Sequence, residues 1–161
     1  MWLSDRRTML AALAALPLAA CGFTPAYAPG GVGQALRGQI RAADPQTSHD
    51  FDFVAAFEDR LGRPAAPRYR LDYRISTFER GSANVPGMSD TRISLFGTVD
   101  YTLIDIESET TRTQGGLRNV THYSSTDTQL ATRRAKEDAE ARLMRILADQ
   151  VAARLMTALA E

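Results

Sequence analysis

The chain is poor in the side chains that most often carry out chemistry: one cysteine, two histidines and, among 19 basic residues, a single lysine, Lys136. A lone cysteine, Cys21, excludes an internal disulfide. His49 and His122 stand far apart, and no cluster has metal-ligand spacing. Charge of one sign is not in excess, since 19 acidic residues balance the 19 basic ones. That balance argues against nucleic acid as a partner. No apolar run reaches the length of a membrane-spanning helix, and no internal repeat is present. Gly31-Val32-Gly33 is no phosphate-binding loop: Leu36 stands where a third glycine would be, and no strand precedes it. His122, Ser124 and Asp127 fall within six positions, at a strand end and a helix start, whereas a working triad needs separate supports. The reading is a non-enzyme without metal or cofactor.

Cys21 is also the point where the informative residues converge. Residues 1–7 are short and positively charged, and residues 9–20 are apolar apart from Pro17. A charged start, an apolar middle and small residues at the end make a secretory signal. Leu18-Ala19-Ala20-Cys21 resembles the bacterial lipobox that signal peptidase II cuts. The resemblance implies cleavage between Ala20 and Cys21 and acylation of Cys21 as the new N-terminus. Each buried acyl methylene contributes about 0.8 kcal/mol, so two or three chains anchor a protein stably. Arg6-Arg7 faintly resembles a twin-arginine signal, but paired arginines are common in such regions, and general secretion is the expectation.

The expected organisation is a signal peptide over 1–20, a lipidated tether over 21–38 and a single domain over 39–161. Glycines and prolines break any period in the tether. A short strand is expected over 39–43. Thr47 and Asp50 have the spacing of a capping box, and Phe51, Val54, Phe57 and Leu61 then recur at helical spacing until Gly62 and Pro64 stop the helix.

Residues 68–78 alternate, with Tyr69, Leu71, Tyr73 and Ile75 on one side and Arg68, Arg70, Asp72, Arg74 and Ser76 on the other. Residues 92–106 alternate again, Ile93, Leu95, Val99, Tyr101 and Leu103 against Arg92, Ser94, Thr98, Asp100 and Thr102, with Phe96 breaking the polar set. A third long strand is expected over 112–124, bulged or bent at Gly115 and Gly116. Strands apolar on one face describe an antiparallel sheet covered on one side. The last helix, opened by Thr126 and Gln129 as a capping box, runs without glycine or proline to Ala160. Its expected stripe is Ala135, Ala139, Leu143, Ile146, Leu147, Val151, Leu155 and Leu159. Arg133–Glu137, Arg134–Asp138, Lys136–Glu140 and Arg145–Asp149 stand at the i,i+4 spacing of ion pairs.

Cys21-Gly22-Phe23-Thr24-Pro25-Ala26-Tyr27 and the alanine-rich, alternately charged run over 131–155 resemble the lipopolysaccharide-assembly lipoprotein family, LptE-type, in its alphaproteobacterial form. The resemblance implies an α+β fold with two helices packed on one face of a four-stranded, largely antiparallel sheet. The order β-α-β-β-β-α read from periodicity agrees. It implies a lipid-anchored protein on the periplasmic side of the outer membrane, with no aspartate after Cys21 to retain it elsewhere. Its partners would be the LptD-type outer-membrane barrel, which it plugs and helps to assemble, and lipopolysaccharide.

A plug must bury its core on itself and turn a polar surface to a wet lumen. The sheet face with Arg70, Arg74, Arg92 and Arg118 is the candidate contact for lumen side chains or lipid phosphates. The long loop with Val85, Pro86, Gly87 and Met88 is the candidate contact for the barrel wall. A secretin pilotin or similar targeting lipoprotein is the alternative, and a periplasmic lipid carrier is a third class, disfavoured by the one-sided strands.

Overall fold

The structure, a computed structural model, describes residues 31–81, 91–126 and 128–160. The expected signal segment, Cys21 with its flanking motif, the loop residues 85–88 and Asp127 lie outside the described residues.

The first ordered pieces are a helical turn, α1 (Val32–Ala35), and a short strand, β1 (Ile40–Ala42). They lie partly within the stretch expected as tether. Leu36, which follows the turn, is 6% exposed and belongs to the core, so packing begins ahead of β1.

Helix α2 (Ser48–Leu61) starts at the expected box. Thr47 Oγ1 accepts from the Asp50 amide at 3.2 Å, and the Asp50 carboxylate accepts from the Thr47 amide at 2.9 Å. These bonds satisfy two of the amides that a helix start leaves without partners. Gly62, at φ 80°, ends the helix in a backbone conformation that a Cβ disfavours. The buried face is Phe53, Phe57 and Leu61, not the set beginning at Phe51, which is 60% exposed. Phe53 shares the i, i+4, i+8 line with Phe57 and Leu61, and its ring meets Tyr73 of the sheet at 4.9 Å.

Three long strands follow, β2 (Tyr69–Gly81), β3 (Thr91–Asp105) and β4 (Thr111–Ser125), and the sheet order is β1-β2-β3-β4. Strand β1 runs parallel to β2 over Ile40↔Tyr69 to Ala42↔Leu71, and the other pairs are antiparallel. The expected α+β class and the largely antiparallel, four-stranded sheet are therefore found. The bulge lies elsewhere than expected. Leu103 faces Thr113 and Ile104 faces Thr111, so Arg112 is the extra residue. Gly115 and Gly116 stay in register with Tyr101 and Asp100. Their lack of a side chain has another use: a Cβ on Gly115 would stand 3.0 Å from the Tyr101 hydroxyl, and one on Gly116 would stand 2.7 Å from Asp100 Oδ1.

Helix α3 (Gln129–Ala158) has 30 residues and at 1.5 Å per residue is about 45 Å long. It lies across β3 and β4 and has α2 alongside. That double contact explains why its buried face is wider than one stripe. Met144, Ala148 and Ala152 are buried together with Ala139, Leu143, Leu147, Val151 and Leu155, whereas Ile146 is only half-buried.

The expected cap at Thr126 is replaced. Thr128 holds the N-cap position without a side-chain bond. The Thr132 hydroxyl instead takes the Thr126 amide at 2.9 Å and donates to the Thr126 carbonyl at 3.2 Å, tying the strand end to the first turn of the helix. Of the expected i,i+4 pairs, Lys136–Glu140 forms at 3.9 Å. Arg134 pairs with Glu137, Asp138 with Arg142, and Asp149 with Arg60 of α2.

Candidate functional site

Both helices cover one face of the sheet, so every second residue of β2, β3 and β4 is left on the other face without a layer above it. Arg70, Arg74, Arg92 and Arg118 all lie there, and all are exposed. They do not form one cluster. Arg70 neighbours Arg41 of β1 and is bound to Asp72, Nε to Oδ1 at 3.1 Å. Arg74 faces Asp100 across the strands, and Arg118 faces Thr98 one row further along. Arg92 faces Ser124 at the far end. Among the described residues Arg74, Arg92 and Arg118 make no ion pair.

At the Arg74 end the face forms an open polar groove of about 590 Å³ lined by Asp72, Arg74, Asp100, Thr102 and Gln114. At the other end the face changes character. Phe78 faces Phe96, and Phe96 faces Val120, making an apolar row across three strands. The two rings stack with centroids 4.8 Å apart and planes 8° from parallel. Arg80, beyond the 68–78 stretch read as a strand from the sequence, continues β2, and its guanidinium lies 6.0 Å from the Phe96 ring centre. Phe78 and Val120 are 50% and 38% exposed. The sequence carried part of this signal: Phe96 breaks the polar alternation, and Phe78 has the parity of the polar set. Their pairing depends on register, which periodicity does not fix.

The serine–histidine pair on this face is a surface hydrogen bond. His122 Nδ1 lies 3.1 Å from Ser94 Oγ of the neighbouring strand, and Arg142 of α3 donates to the His122 carbonyl at 3.1 Å. Ser124 is not its partner. Among the described residues no group of three or more histidine, cysteine or acidic side chains is placed to hold a metal ion.

A second charged constellation lies under the helices at the strand ends. Lys136 Nζ is 2.8 Å from Glu79 Oε1 of β2 and 3.9 Å from Glu140 Oε1. His49 of α2 reaches the same Glu140 oxygen at 3.6 Å. The hydrogen bond to Glu79 pushes the Lys136 amine up from its ordinary value. Burial, then the Glu79 carboxylate, pushes the Tyr123 phenol up. The network joins α2, α3, β2 and β4, and each charge in it has an opposite within reach. Its chemistry is that of a clamp between layers, whereas the outer face, rich in unpaired guanidinium groups, is chemistry for binding an anion or an acidic surface.

No protein-family model matches the chain, and no curated protein matches it. Among solved structures it is similar to a protein of Caulobacter crescentus CB15 assigned to the lipoproteins, with a TM-score of 0.68 and 22% identity over 81% of this chain and 97% of that one. It is also similar to the minor lipoprotein of Acinetobacter baumannii, with a TM-score of 0.50 and 12% identity over 73% and 90% of the two chains. The rare lipoprotein B of Shewanella oneidensis lies further off, at a TM-score of 0.49 and 13% identity over 76% of this chain and 98% of that one. The fold built here, a four-stranded sheet under two helices, is thus one that bacterial lipoproteins share.

Proposed function

We propose that this chain is a lipoprotein anchored through Cys21 to the periplasmic side of the outer membrane. Its folded domain acts there as a non-catalytic partner of a large LptD-type β-barrel. It occupies the lumen, assists assembly of the barrel and takes part in passing lipopolysaccharide to the outer leaflet. The observation that carries the reading is the uncovered sheet face: the core lies on the helix side of the sheet, and the opposite face offers Arg74, Arg92 and Arg118, which make no ion pair among the described residues. A wet, polar lumen accepts such a face without cost to the core. Guanidinium forks also suit the phosphates of lipid A. The lipobox supplies the anchor, and the lipoprotein fold of its structural neighbours is consistent with it.

The test is a gentle detergent pull-down of the mature lipoprotein from its own cells, paired with depletion. The barrel should co-purify, and depletion should reduce folded barrel and surface lipopolysaccharide together. Unchanged barrel folding and unchanged export after depletion would overturn the reading, and a secretin subunit in the pull-down would establish the pilotin alternative in its place. Cys21→Ser should move the protein out of the membrane fraction, and acyl labelling of that variant would refute the anchor.

A further inference from the structure

We infer that the Phe78–Phe96–Val120 row, with Arg80 and Arg118 beside it, is the centre of a protein–protein interface whose partner presents carboxylates around an apolar spot. The inference rests on the barrel reading for the partner's identity and on the patch itself for its chemistry. Aromatic side chains ringed by arginine, with lysine and acids depleted, are the composition of interface centres. Here Phe78 and Val120 are exposed and Phe96 is half-buried between them, on a sheet face that is otherwise polar along most of its length. A row of that kind loses contact with water only when another surface covers it.

The charge around the row selects the occupant. The neighbouring outward positions are Ser76, Arg80, Ser94, Thr98, Arg118 and His122, none of them acidic. Among the described residues the nearest acid on this face, Asp100, is two rows away, opposite Arg74. Glu79, though adjacent in sequence, points to the helix side and is held by Lys136. The chain as a whole is neutral, so the positive charge is a local property of this face. A second copy of the chain does not fit, because a two-fold contact would set Arg80 and Arg118 against their own duplicates. An acyl chain does not fit either. Such ligands take concave sites, and the groove of about 590 Å³ on this face lies at the Asp72–Gln114 end, away from the rings. A complementary, acidic protein surface satisfies both the apolar row and its basic rim.

The experiment uses the full-length lipoprotein in its own cells with a photo-crosslinking benzoylphenylalanine at Phe78 or, as the control, at Arg145 on the helix side. Crosslinked peptides are identified by mass spectrometry. The expected result is a crosslink from position 78 to an acid-bearing segment of the co-purified barrel. Arg80→Glu with Arg118→Glu should lower co-purification at least about tenfold, because it sets like charges against one another across the contact, while the thermal melt of the free protein stays at the wild-type position. Exchange of the mapped partner carboxylates for arginine should restore it. If the barrel co-purifies undiminished with the double variant, or crosslinks arise only from position 145, the patch assignment is overturned and the barrel reading stands. Crosslinks from position 78 to a second copy of the chain, to lipid alone or to nothing at all also overturn it. If position 78 instead maps to an acidic segment of another protein and the charge exchange restores that contact, the patch stands and the barrel reading falls.

Discussion

Gly97 of β3 lies directly beneath Leu143 of α3: a Cβ built on it would stand 2.8 Å from Leu143 Cδ2 and 3.1 Å from Leu147 Cδ1. The glycine is buried, and its bare backbone sets how closely the long helix approaches the sheet. Gly97→Val should therefore destabilise the domain by about 1–3 kcal/mol through overpacking. Leu143→Ala alone should cost about 2–5 kcal/mol. In the double variant the two losses should fall short of their sum, because the smaller residue relieves the larger. Urea unfolding of the four proteins measures this, and strict additivity would show that the contact is not the cause.

Tyr73 has the one buried side-chain polar atom without a hydrogen-bond partner among the described residues. Burial, then the charges of Asp50 and Asp44, pushes its phenol up to about 12. Tyr73→Phe should leave stability unchanged or raise it by up to about 1 kcal/mol, since an unpaired buried hydroxyl contributes a penalty. The sign with pH follows. The folded value is raised, so the native protein loses stability as pH rises above the ordinary tyrosine value, and the phenylalanine variant lacks that loss. Thermal melts at neutral and alkaline pH check both points, with absorbance titration of the tyrosines alongside.

Asp105 closes the turn between β3 and β4. Its Oδ1 accepts from the amides of Glu107 and Ser108 at 3.2 and 3.3 Å, and Arg68 Nε lies 3.4 Å from Oδ2. The Ser108 amide, above all, holds the carboxyl below its ordinary value. A lowered folded value means that the contribution is present above the ordinary aspartate range and lost as pH falls through the lowered value. Asp105→Asn should thus melt below wild type by a constant margin from neutral pH down to about pH 5, and the margin should shrink in more acidic buffer. A margin independent of pH would assign the effect to packing alone.

The Lys136–Glu79 pair, at 2.8 Å, links α3 to the end of β2, with both side chains partly exposed. Water screens it accordingly, and a double-mutant cycle with Lys136→Met and Glu79→Gln should return a coupling of about 0.2–1 kcal/mol. The lysine value is raised in the fold, so this contribution is present at neutral pH and lost only as pH climbs past the ordinary lysine range. A coupling that stays constant through that range would refute the assignment.

The strands were legible because each is buried on one side only, so the alternation of Tyr69, Leu71, Tyr73 and Ile75 was undisturbed by packing on the other face. The box at Thr47 was legible because it is local chemistry. What escaped the sequence depends on third parties. Phe53 is buried in place of Phe51 because Tyr73 and α3 lie on that side of the helix. Met144, Ala148 and Ala152 are buried because α3 touches two layers. The bulge at Arg112 follows from pairing with β3, and the glycines after it serve Tyr101 and Asp100. For the candidate site, the parity of Arg70, Arg74, Arg92 and Arg118 was readable, but not which acid reaches which arginine. The stacking of Phe78 on Phe96 needed the register of two strands separated by a long connection.

Because α3 follows all four strands along the chain, the part of the inner face that it covers stays open until synthesis is nearly complete, although α2 is made before β2. The β3–β4 hairpin closes through contacts near in sequence and can form early. Val99 and Leu103, by contrast, are fully covered in the finished fold, and the sheet under α3 waits for that helix. Until Leu143 and Leu147 arrive over Gly97, the nascent domain is a sheet with one greasy side and two free lateral edges, a state that associates readily with its own kind. The arrival of α3 therefore decides whether the chain matures or aggregates, and truncation within its buried stretch from Leu143 to Leu155 should abolish soluble product abruptly and not by degrees.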